Sequence, residues 1–120
     1  MYNGLEDNQI FIFGSNLNGH HGGGAAAHAC NSFGAGWGIG EGLTGQCYAF
    51  PTLDENMQKV TKEALLKSRH KLYATCRTLP EKTFLLTKVG CGIAGFDEQF
   101  MKEIFISQVT PDNLVKPENW

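Results

Sequence analysis

No stretch of about 18 apolar residues runs through this chain, so no transmembrane helix is expected. The N-terminus, MYNGLEDNQ, is polar and acidic and lacks the apolar core of a signal peptide, so a cytoplasmic location is expected. Basic clusters are missing too. Eight of the ten Lys and Arg residues are scattered from Lys59 to Lys88, and a net charge of −2 lacks the basic stripe of a nucleic-acid binder. The four cysteines, Cys30, Cys47, Cys76 and Cys91, form no C-x-x-C pair, which argues against a zinc knuckle. Cys30, Cys47 and Cys76 sit among apolar neighbours and read as small core residues with reduced thiols. No internal repeat, low-complexity tract or domain boundary interrupts the chain. Its 120 residues, 42 % hydrophobic and 18 % charged, predict a single globular domain over residues 1–120.

Glycine is the excess. Of 15 glycines, 11 fall between Gly14 and Gly45 and three between Gly90 and Gly95. Glycine loses more conformational entropy on folding than any other residue, so such clustering needs a reason. Two long flexible loops are one reading. Backbone brought close to a ligand is the other.

The apolar run Ile10-Phe11-Ile12-Phe13 predicts a strand buried on both faces, ending at Gly14. A loop over Ser15 to Gly24 feeds the helix-favouring stretch Ala25 to Cys30. Gly34 to Gly45 reads as a second loop, and Cys47 to Phe50 as a second strand stopped by Pro51. Thr52-x-x-Glu55 has capping-box spacing and predicts a long helix to about Leu79, ended by Pro80, with Val60, Ala64, Leu65, Leu72, Tyr73, Cys76 and Leu79 largely on one face. Thr83 to Val89 reads as a third strand and Gly90 to Gly95 as a third loop. Phe100, Met101, Ile104 and Phe105 mark a third helix, and Leu114-Val115 a last short strand. Alternating strands and helices predict an α/β fold, its sheet mainly parallel or mixed, with helices on both faces. Ligands of such sheets bind beyond the carboxyl ends of the strands, where the Gly14–Gly24 and Gly90–Gly95 loops should lie.

Two segments match G-x-G-x-x-G. Gly40 to Gly45 precedes a strand, which removes the dinucleotide-fingerprint reading. Gly90-Cys91-Gly92-Ile93-Ala94-Gly95 follows a strand and opens a helix, but only 25 residues remain after it, too few for a full dinucleotide-binding unit. What this segment keeps is a set of amides at a helix N-terminus, which favours a phosphate. The first loop has no G-K-[ST] and so is no Walker loop, yet Gly22-Gly23-Gly24 lets N–H groups converge on an oxyanion. Asn16 and Asn18 can donate to ribose hydroxyls or serve as turn residues. His20 and His21 can contact ligand or solvent; metal binding would need partners, with His28 the nearest, and no metal is expected. Glu41, the only acid in its loop, can act as a general base or hydrogen-bond within the loop.

These residues resemble the macrodomain superfamily of ADP-ribose binders, in a short variant of phage or bacterial type. Ile12-Phe13-Gly14-Ser15-Asn16 through Gly22-Gly23-Gly24-Ala25 looks like that family's strand, Asn-containing turn and Gly-rich loop feeding a helix. Gly38-x-Gly40-x-Gly42-Leu43 with Tyr48 loosely resembles its Gly-rich approach to the next strand, and Lys88-Val89-Gly90-Cys91-Gly92-Ile93 its second phosphate loop. The resemblance implies a three-layer macrodomain-like sandwich that binds ADP-ribose or a related adenine nucleotide phosphate, free or on a macromolecule, with no cofactor. Its implied ligand contacts are Gly14, Ser15, Asn16, Gly22, Gly23, Gly24, Gly90, Cys91, Gly92, Ile93, Ala94, Gly95 and Phe96. Asn16 would approach the distal ribose, and Phe96 would pack on a ribose or base unless it staples the third helix. The alternative is a hydrolase that removes ADP-ribose from a macromolecule or cleaves a related phosphoester, with Asn16, His21 and Glu41 as candidate catalytic residues. The family's ester-hydrolysing branch carries an Asp where this chain has Ala94, and a Lys without counterpart in Pro51-Thr52-Leu53-Asp54, which argues against that branch's mechanism.

Overall fold

The run Ile10 to Phe13 lies in the central strand β1 (Gln9–Asn16), and its alternation sends side chains to two separate cores. Ile10 and Ile12 pack with Tyr48, Phe50, Leu65, Leu72 and Phe105; Phe11 and Phe13 pack with Ala26, Ala29, Phe33 and Cys47. A strand reads as continuously apolar when both of its faces are covered. The computed structural model describes residues 4–21 and 23–120; Gly22 and the side chain of Cys30, both assigned roles from the sequence, lie outside the described residues.

The remaining elements are α1 (Gly24–Ser32), β2 (Gly42–Thr44), β3 (Cys47–Leu53), α2 (Lys62–Thr78), β4 (Thr83–Leu86), α3 (Glu98–Ile106) and β5 (Leu114–Val115). The five strands form one mixed sheet in the order β2-β3-β1-β4-β5. β1 pairs in parallel with β3 (Phe11 opposite Cys47) and with β4 (Phe11 opposite Leu85), β4 pairs in parallel with β5, and only β2–β3 is antiparallel. The core residues of α1 belong to the Phe13 side and those of α2 and α3 to the Ile12 side. Burying each large aliphatic side chain there stabilises the fold by about 1.5–3 kcal/mol.

Several boundaries differ from the sequence expectation. Ser15 and Asn16 belong to β1, not to the loop after it. Pro51 does not stop β3: it sits opposite Ser15, beyond the Cys47–Ala49 stretch that pairs with β2, so its missing N–H costs no ladder bond on that side. The Gly34–Gly45 segment contains the short strand β2, hidden because glycine carries no strand signal. Thr52 is no helix cap. It lies in β3, and its hydroxyl donates to Ser15 O at 3.3 Å. The cap is Thr61, which accepts from Ala64 N at 3.1 Å, so α2 starts nine residues later than the capping-box spacing implied. β4 ends at Leu86, where a turn begins with Val89 N donating to Thr87 O.

The C-terminal segment is tied down by Asn113, whose Nδ2 shares its two N–H groups among Cys76 O, Leu79 O and Lys82 O at 2.9, 3.0 and 2.9 Å. Tyr73 of α2 donates to Phe105 O of α3 at 2.6 Å, locking the two helices on one face. Asp97 caps α3 by accepting from Phe100 N at 3.1 Å.

Candidate functional site

The parallel strands β1, β3 and β4 end on the same rim, and a cavity of about 530 Å³ opens there. Its walls come from the ends of all three strands (Gly14 to Asn16, Thr52 and Leu53, Thr87 to Gly90), from the start of α1 (Gly23 to Ala26) and from Gly92 to Ala94. Such a crevice outside the carboxyl ends of parallel strands is where open α/β sheets hold ligands, and its volume lies within the ordinary ligand-pocket range of about 300–1,000 Å³.

Two arrays of backbone N–H groups reach this space. The first is the N-terminus of α1. The early amides of a helix have no intrahelical acceptor. Here the N-cap is Gly23, which offers no side-chain acceptor, and no acidic residue stands in the first turn. The second is the loop after β4. Cys91 N donates to Lys88 O, Gly95 N to Gly92 O and Phe96 N to Gly90 O, which folds the loop back on itself. The amides of Gly92, Ile93 and Ala94 donate to no backbone acceptor among the described residues. Gly90 sits at φ +76°, and a Cβ there would lie 3.0 Å from Phe96 Cδ2, so this corner needs glycine.

No Asp or Glu lines the cavity among the described residues, whereas the cationic Lys88 does, as does the imidazole of His20. Lys88 Nζ lies 3.0 Å from Glu98 Oε1. Hydrogen bonds from Lys88 and then Trp120 hold the Glu98 carboxyl below its ordinary range.

Of the residues expected at a site, Gly14, Ser15, Asn16, Gly23, Gly24, Gly90, Gly92, Ile93 and Ala94 come together around the cavity. Asn16 is buried, and its side chain is already engaged: Nδ2 donates to His20 O at 2.8 Å and Oδ1 accepts from His20 N at 3.0 Å. Cys91, Gly95 and Phe96 do not line the space. The Cys91 thiol packs against the α2/α3 core, where burial and then Glu98 push its pKa up. Gly95 O accepts from Lys59 Nζ at 3.0 Å, and the same Nζ lies 5.2 Å from the centre of the Phe96 ring, which stacks on Phe100 in the first turn of α3.

His21 and Glu41 also stand off the cavity wall. His21 is 3 % exposed, bonds Gly36 O through Nε2 at 2.8 Å, and leaves Nδ1 buried without a partner. Glu41 is held against α2, accepting from Ser68 Oγ at 3.0 Å with Lys71 Nζ at 3.5 Å. The three candidate catalytic residues therefore do not converge. No group of three or more His, Cys, Asp or Glu side chains suited to a metal ion occurs among the described residues.

Sequence reasoning overlooked Thr52, Leu53, Met57 and Thr87 as wall residues. Only strand order could have revealed them, because each follows or ends a strand whose carboxyl end faces the same rim. The chain matches no known protein family, no curated protein and no solved structure.

Proposed function

We propose that this protein binds a phosphate-bearing nucleotide of the ADP-ribose type, in the manner of a macrodomain-like three-layer domain, and acts as a recognition module. The observation that carries the reading is the pairing of two amide arrays, the start of α1 without a side-chain cap and the Gly92–Ala94 turn, around one cavity that no carboxylate lines among the described residues. Backbone N–H groups at a helix N-terminus are a ready-made anion site, and the helix dipole adds about 0.3–1 kcal/mol per favourable charge. An acidic side chain would compete for those amides, and none lines the wall among the described residues. ADP-ribose as the ligand rests on the resemblance of the Gly14–Ala25 and Lys88–Ile93 segments to macrodomain loops.

Binding is favoured over hydrolysis because Asn16, His21 and Glu41 are each engaged elsewhere and do not face one reaction centre. Calorimetry against ADP-ribose, AMP, NAD and pyrophosphate tests the reading. Saturable binding of ADP-ribose is expected. Absence of binding by all four at millimolar concentration overturns it.

A further inference from the structure

Trp37 is the one aromatic among the large apolar side chains exposed in the described part of the chain, at 61 %. It is not loose. Gly36 N donates to Thr44 Oγ1 at 2.6 Å, Gly36 O accepts from His21 Nε2 at 2.8 Å, and Gly38 N donates to Gly19 O at 2.9 Å. Gly19 has φ +71°, and a Cβ on it would collide with the Gly38 backbone, so the two turns interlock. The indole thus projects from a braced turn. One face of the indole stacks on His20, with ring centres 5.4 Å apart and planes 19° apart; His20, not Trp37, lines the cavity, so the indole backs the imidazole that faces it.

We propose that the His20–Trp37 pair is a stacking platform for the nucleobase of the ligand whose phosphate meets the amides. This rests on the phosphate-binding reading. An indole left in water costs hydrophobic stabilisation, and a planar partner recovers it. Continuity with the cavity through His20 selects a planar group attached to a phosphate over a separate apolar partner. Base stacking on an aromatic ring is tolerant of base identity, because every base has a π-face. The platform therefore supplies affinity for a nucleotide more than discrimination between purines.

The test is calorimetry with AMP, adenosine and ribose 5-phosphate on the wild-type chain, on Trp37→Ala and on Trp37→Phe, with circular dichroism to confirm folding. AMP should bind the wild type roughly 5- to 150-fold more tightly than ribose 5-phosphate, the range expected for one stacked base. Trp37→Ala should lose that advantage while keeping its affinity for ribose 5-phosphate, and Trp37→Phe should retain part of it. Equal affinities of the two ligands in the wild type, or an undiminished AMP advantage in Trp37→Ala, overturn the platform and leave the phosphate reading standing. Adenosine binding that Trp37→Ala abolishes, with no binding of ribose 5-phosphate, overturns the phosphate reading and with it the platform as the base site of a phosphate-bearing ligand. No binding of any of the three overturns both.

Discussion

Ile93 lies over Gly23: a Cβ placed on that glycine would come within 3.2 Å of Ile93 Cδ1. The two walls of the cavity therefore meet through the tip of one flexible side chain, itself 76 % exposed. Gly23 has φ −154°, extended backbone open to any residue, so the fold has no need of glycine there. The cavity does. Gly23→Val should leave thermal stability within about 1 kcal/mol of wild type, while lowering ADP-ribose affinity about tenfold or more, a loss of about 1.4 kcal/mol. Adding Ile93→Ala should restore part of the affinity. Unchanged calorimetric affinity in Gly23→Val would count against an anion seat at the start of α1.

Asn16 is expected to act on the site through His20. Its amide holds both the N–H and the carbonyl of His20, and truncation strands those groups. Asn16→Ala should cost about 1–3 kcal/mol in urea unfolding and weaken nucleotide binding together with stability. A variant that kept full stability yet lost binding would point instead to direct contact between Asn16 and the ligand.

Glu41 should prove silent in binding. Its carboxylate meets Ser68 and the largely exposed Lys71, away from the cavity. Glu41→Gln keeps an acceptor for Ser68 and loses a partly exposed ion pair, so stability should fall by less than about 1 kcal/mol. ADP-ribose affinity should not move; a clear fall would place Glu41 in the site after all.

Alkaline pH should loosen the α2 side of the core. Burial pushes the Cys76 thiol from 9.0 up to about 12, and raises Tyr48 and Tyr73 from 10.0 to about 12. From about pH 9 to 12 the unfolded chain has lost protons that the folded chain keeps. The unfolded state then binds fewer protons, so stability is complete below pH 9 and falls as pH rises. Urea midpoints measured from pH 7 to 11 should be flat at first and then decline. Cys76→Ala should shallow that decline while lowering the neutral-pH midpoint through the cavity it leaves.

What could be read from the sequence were the parts encoded locally. Ile10 to Phe13 announced a strand covered on both faces, and the spacing of Leu65, Leu72, Tyr73 and Cys76 announced the buried face of α2. The Gly90–Gly95 turn stood between a strand and a helix, so the approach of Gly90, Gly92, Ile93 and Ala94 to the rim followed from order alone. What could not be read depended on contacts distant in sequence. Thr52 looked like a cap because nothing nearby shows that Ser15 O takes its hydroxyl. The Gly34–Gly45 segment read as a loop whose glycines nothing nearby explained; a Cβ on Gly40 would come within 2.6 Å of Asn16 O, so that glycine makes room for the protein's own backbone. Glu41 looked isolated because its partners lie 27 and 30 positions away on α2.

The central place of β1 has a consequence for how the protein is made. The strand nearest the start of the chain needs β3 on one side and β4 on the other, and the Thr87 hydroxyl reaches Ile12 O across 75 positions. While the ribosome is still adding residues, Ile10 to Phe13 emerge with neither neighbour. Pairing can begin once Cys47 to Leu53 are free of the exit tunnel, and the second edge stays open until Thr83 to Leu86 follow. Vectorial synthesis thus leaves an apolar strand edge bare until β4 has emerged, the kind of segment that holdase chaperones cover and that crowded, overexpressing cells aggregate. Slowing translation or lowering the growth temperature should raise the soluble yield of the full chain, and a circular permutant in which β1 follows β4 should depend on such help far less.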